Sequence, residues 1–324
     1  MTARTTGMVG IVIASLLWGT TGTASALAPS VSAITVGAGA MGIGGLLQIA
    51  FSRRALYRDR AMLLARYRLV IFGGVCVAAY PLAFYSSMRI GGVALGCVVS
   101  LASAPLASAV IERVCDGRAL TRRWALACGF GIVGSVLLSL SRHSGDASGA
   151  HSAVLGVVLG LAAGGSYAGY SWAMRRLMDD GTSRGASAAA VLGLGGILLM
   201  PVFAATAGHS VVTYPGILII ACLAVLPMFL GYVLFSHGLA RVGATTATTI
   251  TLVEPAAATV LSVVILHETV GSLGWVGVAL IAAALVVLTA PGVPAPPGRA
   301  ANRLGRQPHD AVGSPRCADV PTSR

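Results

Sequence analysis

Glu254-Pro255 sits near the middle of an apolar stretch running from about Val242 to Leu266. A carboxylate at bilayer depth is expensive and marks a functional position by default. Low-dielectric surroundings penalise an uncompensated charge, which leaves three uses for Glu254. It could take a proton or a substrate amine. It could hold a helix break together by accepting backbone hydrogen bonds. It could face a wet cavity with no specific role. Pro255 makes a break expected, because it leaves the carbonyl of Thr251, one turn back, without its helical partner. Ala104-Pro105 holds the matching place in an apolar stretch 150 residues earlier. Matched proline breaks in two halves of a membrane protein point to the binding site of a transported solute.

Polar and aromatic side chains recur at helical spacing around these two points. Thr245, Thr246, Thr248, Thr249 and Thr251 precede Glu254, and Thr248, Thr251 and Pro255 share one helix face. So dense a polar run favours a cavity-facing helix, although plain helix–helix contact would also use it. Trp18, Thr21 and Ser25 form a similar stripe, as do Tyr80, Phe84 and Ser87 beside Pro81. Tyr167, Tyr170 and Met174 form a third, and Tyr232 and His237 follow Pro227. Aromatics with a polar tip can stack on a solute or bond to it. The alternative is an interfacial belt, which the mid-span places of Tyr80, Tyr167 and Tyr232 weaken. The expected substrate-binding set is therefore Trp18, Thr21, Tyr80, Phe84, Tyr167, Tyr170, Tyr232, Thr248, Thr251 and Glu254. Pro81, Pro105, Pro227 and Pro255 are expected to act as hinges or to hold open carbonyls. Arg89, at a span end, could attract a substrate carboxylate; snorkelling to headgroups is the simpler use. His237, near the opposite side of the membrane, is expected to be solvated.

Other chemistries lack their residues. The chain has no lysine, so it carries no P-loop. It has no H-E-x-x-H, no G-x-S-x-G and no kinase signature. Within or beside the spans, His267-Glu268 is the only adjacent acid–base pair, and it falls in a short turn. Neither catalysis nor a cofactor is expected. Gly37 to Gly42 fits G-x-G-x-x-G, but an apolar helix replaces the strand–turn–helix context that motif needs. The six cysteines, Cys76, Cys97, Cys115, Cys128, Cys222 and Cys317, form no C-x-x-C and no metal cluster. Neither metal nor disulfide is expected.

These residues must be positioned by membrane helices. The 324 residues are 56% hydrophobic and only 10% charged, with mean hydropathy +0.85. A soluble domain carries about 25% charge. The net charge of +12 does not read as nucleic-acid binding, because the arginines are dispersed between apolar segments. Ten segments read as helices: roughly 8–28, 32–51, 69–88, 91–111, 123–141, 153–174, 187–207, 215–238, 242–266 and 272–290. Met8 to Leu17 with Ala24–Ala28 imitates a signal peptide, but the run continues to spanning length and reads as a retained helix. With the N-terminus in the cytoplasm, twenty arginines fall inside and only Arg89 and Arg142 outside. Both termini are therefore expected in the cytoplasm. Residues 1–7 are a cytoplasmic N-terminus, 8–141 a first five-helix unit, 142–152 an extracytoplasmic linker and 153–290 a second five-helix unit. Residues 291–324, rich in Pro and Arg, are expected to be a disordered cytoplasmic tail. Gly156, Gly160 and Gly164 repeat every fourth residue, as do Gly165 and Gly169, and Gly92 and Gly96. Such small faces favour close packing within the bundle, with a homodimer interface as the other use.

An odd number of helices per half forces the halves into opposite orientations if they share a fold. Trp18 matches Tyr167, Pro81 matches Pro227, Pro105 matches Pro255 and Trp124 matches Trp275, at offsets of 149, 146, 150 and 151 residues. The expected fold is all-α, with ten transmembrane helices as two inverted five-helix repeats.

The chain resembles the drug/metabolite transporter superfamily, specifically its EamA-type family, over about residues 8–290. The resemblance rests on Ser15-Leu16-Leu17-Trp18-Gly19 in the first half and Ser166-Tyr167-Ala168-Gly169-Tyr170, running to Arg175-Arg176, in the second. It is strongest in Leu252-Val253-Glu254-Pro255, then Leu266-His267-Glu268, then Gly274-Trp275-Val276-Gly277. Tyr167 stands where the family often has Trp, and His267 where it often has Gly. The resemblance implies ten helices around a central cavity lined by the first, third and fourth helices of each half. It also implies transport of small polar metabolites, amino acids or amphipathic compounds, usually outward. The expected function is a secondary transporter exporting small metabolites such as amino acids across the cytoplasmic membrane by alternating access. A broad exporter of lipophilic cations is the alternative, and a non-transporting membrane scaffold the third reading. The expected partners are a small-molecule substrate and the lipid bilayer.

Overall fold

Long apolar runs with few charges can satisfy their backbone in a bilayer only as helices. The computed structural model describes residues 3–26, 31–140, 150–207, 214–265 and 271–289, and every regular element among them is helical. The first half contains α1 (Ala3–Ala26), α2 (Ala33–Arg58), a short α3 (Arg60–Ala65), α4 (Tyr67–Gly91), α5 (Val93–Asp116) and α6 (Arg122–Leu140). The second contains α7 (Ala150–Asp179), α8 (Arg184–Thr206), α9 (Tyr214–Leu223), a π-helical turn (Ala224–Leu230), α10 (Gly231–Leu239), α11 (Ala244–Ile250), α12 (Val253–Ile265) and α13 (Ser272–Thr289). Helix occupies part or all of each of the ten expected segments. Among the described residues, seven continuous runs are long and apolar enough to cross a membrane: those within α2, α4, α5, α7, α8, α9–α10 and α11–α12. Of the expected linker at 142–152, residues 142–149 lie outside the described residues, as do the expected tail at 291–324, Arg142 and the Leu266-His267-Glu268 turn; residues 150–152 already belong to the first turn of α7.

Two details differ from the sequence reading. Among the four prolines, only Pro255 follows a break, between α11 and α12, while Pro227 sits in the π-helical turn. Pro81 and Pro105 lie inside continuous helices. A proline removes one i→i−4 bond, and neighbouring groups can absorb that loss without breaking the rod. The Thr251 carbonyl is also not left open: it accepts the Glu254 N–H at 2.9 Å in a tighter, i+3 turn. The structure adds a kink at Ser52 (φ −100°, ψ 16°), which no proline marks.

Glycine sets how closely the rods approach. A Cβ at Gly156 would lie 2.7 Å or less from Gly91 backbone, and one at Gly164 would meet the Ser100 carbonyl at 2.6 Å. The stripe on α7 therefore packs inside the molecule, against α4 and α5. Gly42, the last glycine of the stretch that imitates a nucleotide loop, and Gly45 just beyond it instead let α2 lie against Leu192 and Gly196 of α8. The outward faces are apolar, with Val114, Val158, Val264 and Val286 all more than half exposed, as a lipid-facing surface requires.

Charge collects at one end. The loops after α2, α5 and α7 meet there, linked by ion pairs among the described residues, and Arg175 Nη1 donates to the Leu239 carbonyl at the end of α10 at 2.8 Å. Asp59 accepts from Arg58 Nε (3.0 Å) and from the backbone N–H of Ser183 (2.9 Å), tying the end of α2 to the start of α8. Those two donors hold its carboxyl down to about 2, the Arg58 bond being the larger cause. A carboxylate with a depressed folded-state value stabilises fully above its unfolded value of about 3.9 and loses that effect as pH falls through about 2. Asp59→Asn is expected to lower the thermal midpoint in detergent at pH 6. The gap to wild type should narrow below about pH 4; a gap that widens on acidification would contradict this assignment.

Candidate functional site

Aromatics from four rods and a carboxylate from a fifth converge on one cavity. Trp18 and Thr21 come from α1, Tyr80 and Phe84 from α4, Tyr167 and Tyr170 from α7, Tyr232 from α10 and Glu254 from the first turn of α12. Eight of the ten expected binding residues thus share its wall. Thr248 and Thr251 stand behind it. Tyr167 Oη donates to Thr251 Oγ1 at 3.0 Å, Thr251 Oγ1 donates to the Thr248 carbonyl, and Thr248 Oγ1 donates to Ser108 Oγ at 3.2 Å. The threonine run is therefore a hydrogen-bonded brace between α11, α7 and α5. Of the other residues in the stripes, Ser87 is buried and donates to the Gly156 carbonyl, Met174 is in the core, and His237 lies beside Arg184 at the charged end. Arg89 is exposed and not part of the cavity wall.

The wall is stiff. Trp18 lies 5.0 Å from the Tyr232 ring and 6.3 Å from that of Tyr167. Tyr167 is 5.2 Å from Tyr170 and 5.6 Å from Tyr80, and Phe84 stacks on Tyr80 at 5.8 Å. Polar tips are fixed too: Tyr170 and Tyr232 share a 2.8 Å hydroxyl–hydroxyl bond. The Trp18 indole donates to the Pro227 carbonyl at 2.9 Å. That carbonyl belongs to the π-helical turn, whose displaced register frees backbone acceptors. Gln48, fully buried on α2, donates to the Phe229 carbonyl of the same turn at 2.9 Å. Sequence reasoning missed Gln48, although a lone amide in an apolar span was a readable signal. It also missed Tyr85, Met41 and Met228 on the wall, for which only tertiary packing decides.

Glu254 is the one carboxylate lining the cavity, and no basic side chain lines it among the described residues. No described residue donates a hydrogen bond to its carboxylate, so the use as a backbone brace finds no support here. The cavity holds about 60 Å³. That admits a few water molecules, whereas sites for organic ligands run to about 300 Å³ and more.

A second carboxylate is buried at the charged end. Glu112 of α5 is 5% exposed. Its Oε1 accepts the Ala244 N–H at 2.8 Å and its Oε2 accepts Thr245 Oγ1–H at 2.6 Å. It thereby caps α11 from another helix. Its place near a helix end gave no hint of this.

Membrane-spanning helices that enclose a small aromatic cavity with one carboxylate on its wall describe a multi-pass membrane protein of transporter type. The comparisons bear this out at the level of family. The chain belongs to the EamA-like transporter family, whose model matches residues 5–140 and again 154–290. It is 31% identical over 284 residues to the uncharacterized transporter YwfM of Bacillus subtilis (strain 168), covering 86% of this chain and 92% of that one. A solved crystal structure superposes with a TM-score of 0.73 at 20% identity, over 87% of this chain and 96% of the other, which speaks for the fold alone.

Proposed function

We propose that this chain is a secondary transporter for small amine-bearing organic solutes, exporting them by alternating access around the Glu254 cavity. The single observation that carries this reading is a lone carboxylate inside a wall of tyrosine, tryptophan and phenylalanine, with no lining cation. An aromatic wall attracts a positive charge to its ring faces, and a carboxylate completes the match. An amino acid could present its amine to Glu254, but its carboxylate would find no basic partner on the wall. That favours the lipophilic-cation reading over amino-acid export.

Ten spanning helices in two inverted repeats are the architecture behind this proposal. Its support is the packing pattern. Exchanging each helix for its counterpart in the other half maps α4 on α7 onto α10 on α1, and α5 on α7 onto α12 on α1. The α2–α8 and α6–α13 pairs map onto themselves. Trp18 and Tyr167, counterparts in the sequence, meet across the cavity wall. Both termini belong on the cytoplasmic side by arginine placement.

Flux into proteoliposomes tests the proposal. A panel of amino acids and lipophilic cations, with and without an imposed pH gradient, should give saturable uptake of cations that responds to the gradient. Saturable amino-acid flux without cation flux would return the substrate to zwitterionic metabolites. No saturable flux of either would favour a scaffold.

A further inference from the structure

A second hollow is larger than the Glu254 cavity. It holds about 640 Å³ and lies at the charged end, between the start of α4 and the end of α7. Arg66, Arg68 and Arg176 line it, together with Asp180. Asp180 faces Arg66 at 3.1 Å and Arg176 at 3.8 Å, and Asp116 takes Arg176 at 3.2 Å. Three guanidiniums therefore meet two carboxylates. Arg68 is the one left over: among the described residues its only hydrogen bond is from Nε to Tyr67 Oη at 3.2 Å. The first turn of the 25-residue α4 also forms this wall, with no acidic residue and no side-chain cap. Its partial positive charge adds to that of Arg68. The hollow thus presents one uncompensated positive charge at a helix start.

Its other wall is apolar. Phe72 and Trp172 meet edge to face at 6.2 Å, and the Trp172 indole is held by Asp116 at 2.9 Å. From Phe72 the surface continues along α4 through Ile71 and Val75, each about half exposed. A free anion would make no use of that track, whereas acyl chains would lie along it.

The geometry points to a binding site for the phosphodiester of an anionic phospholipid, its headgroup against Arg68 and the α4 start, its chains along Phe72 and Val75. Basic pockets between spans at the arginine-rich membrane face bind such headgroups. The site is separate from the Glu254 cavity and holds whatever the transported solute is. It lies where α4 and α7 adjoin, two helices that both contribute to the cavity wall.

The purified full-length chain in detergent tests this by thermal unfolding. Dioleoylphosphatidylglycerol should raise the midpoint saturably, and rising sodium chloride should weaken the effect in the wild-type chain. Arg68→Ala should need about fivefold more of that lipid for the half-maximal rise. Arg68→Gln serves the same purpose if the alanine variant fails to fold. Arg89→Ala, at the opposite end, should titrate as wild type does. Dioleoylphosphatidylcholine should be clearly weaker, and glycerol 3-phosphate should do nothing. An unchanged midpoint titration in both Arg68 variants, or equal effects of the two lipids, would overturn the site. An equal rise with glycerol 3-phosphate would overturn the lipid assignment in favour of a soluble phosphate site.

Discussion

Glu254→Gln is expected to abolish the pH-gradient dependence of transport and to weaken cation binding roughly 100-fold, about 3 kcal/mol. The glutamine keeps the shape and the hydrogen-bonding oxygen, so packing against α1 survives. What it removes is the capacity to alternate between a proton and a positively charged solute. No other carboxylate lines the cavity to take over. The check has two parts: uptake of a lipophilic cation into proteoliposomes with and without a gradient, and solute protection of Trp18 fluorescence in detergent. Gradient-dependent uptake that persists in the glutamine variant would sink the proton role. Unchanged binding alone would show that the aromatic wall supplies the affinity.

The second large effect is structural. Glu112→Ala is expected to cost about 3 kcal/mol, read as a fall in the thermal midpoint of the purified chain. The loss leaves the Ala244 N–H and the Thr245 hydroxyl buried without their acceptor, at the helix start where donors are most concentrated. Arg118, 3.7 Å from Glu112, would lose one of its two carboxylate partners and keep only Asp179 at 3.3 Å. Glu112→Gln, which keeps one acceptor oxygen, should lose less, and Thr245→Val only about 1 kcal/mol, a single bond. Equal stability of the alanine variant and wild type would mean that water replaces the cap.

The helices were legible because bilayer-length apolar runs permit little else. The eight cavity residues were legible for a related reason: Tyr80, Tyr167 and Tyr232 lie too deep for an interfacial belt, and Glu254 too deep for a surface charge. Thr248 and Thr251 show the limit of that logic. Depth and polarity marked them, but whether a hydroxyl faces a cavity or a neighbouring helix depends on rotation within the bundle. Gln48 and Glu112 depend on partners 181 and 132 residues away in the chain, which no local spacing encodes. The π-helical turn is equally invisible, since Pro81 and Pro227 read alike and only one widens its helix. Nor did arginine placement, sufficient to orient the chain, hint that three of those arginines would surround a hollow.

The molecule is unequal from end to end. Charged pairs fasten the loops after α2, α5 and α7, while Phe84, Tyr85 and Met41, in the halves of their helices away from those loops, offer mainly apolar contact on the far side of the cavity. Separating the first end means pulling opposite charges apart in partly wet surroundings, a barrier that dissolved ions lower. Separating the second exposes hydrocarbon and rings, a barrier that ions do not lower. If the Glu254 cavity opens to the two sides in turn, as proposed, its two strokes would therefore keep different time, and ionic strength would set the tempo of one of them alone.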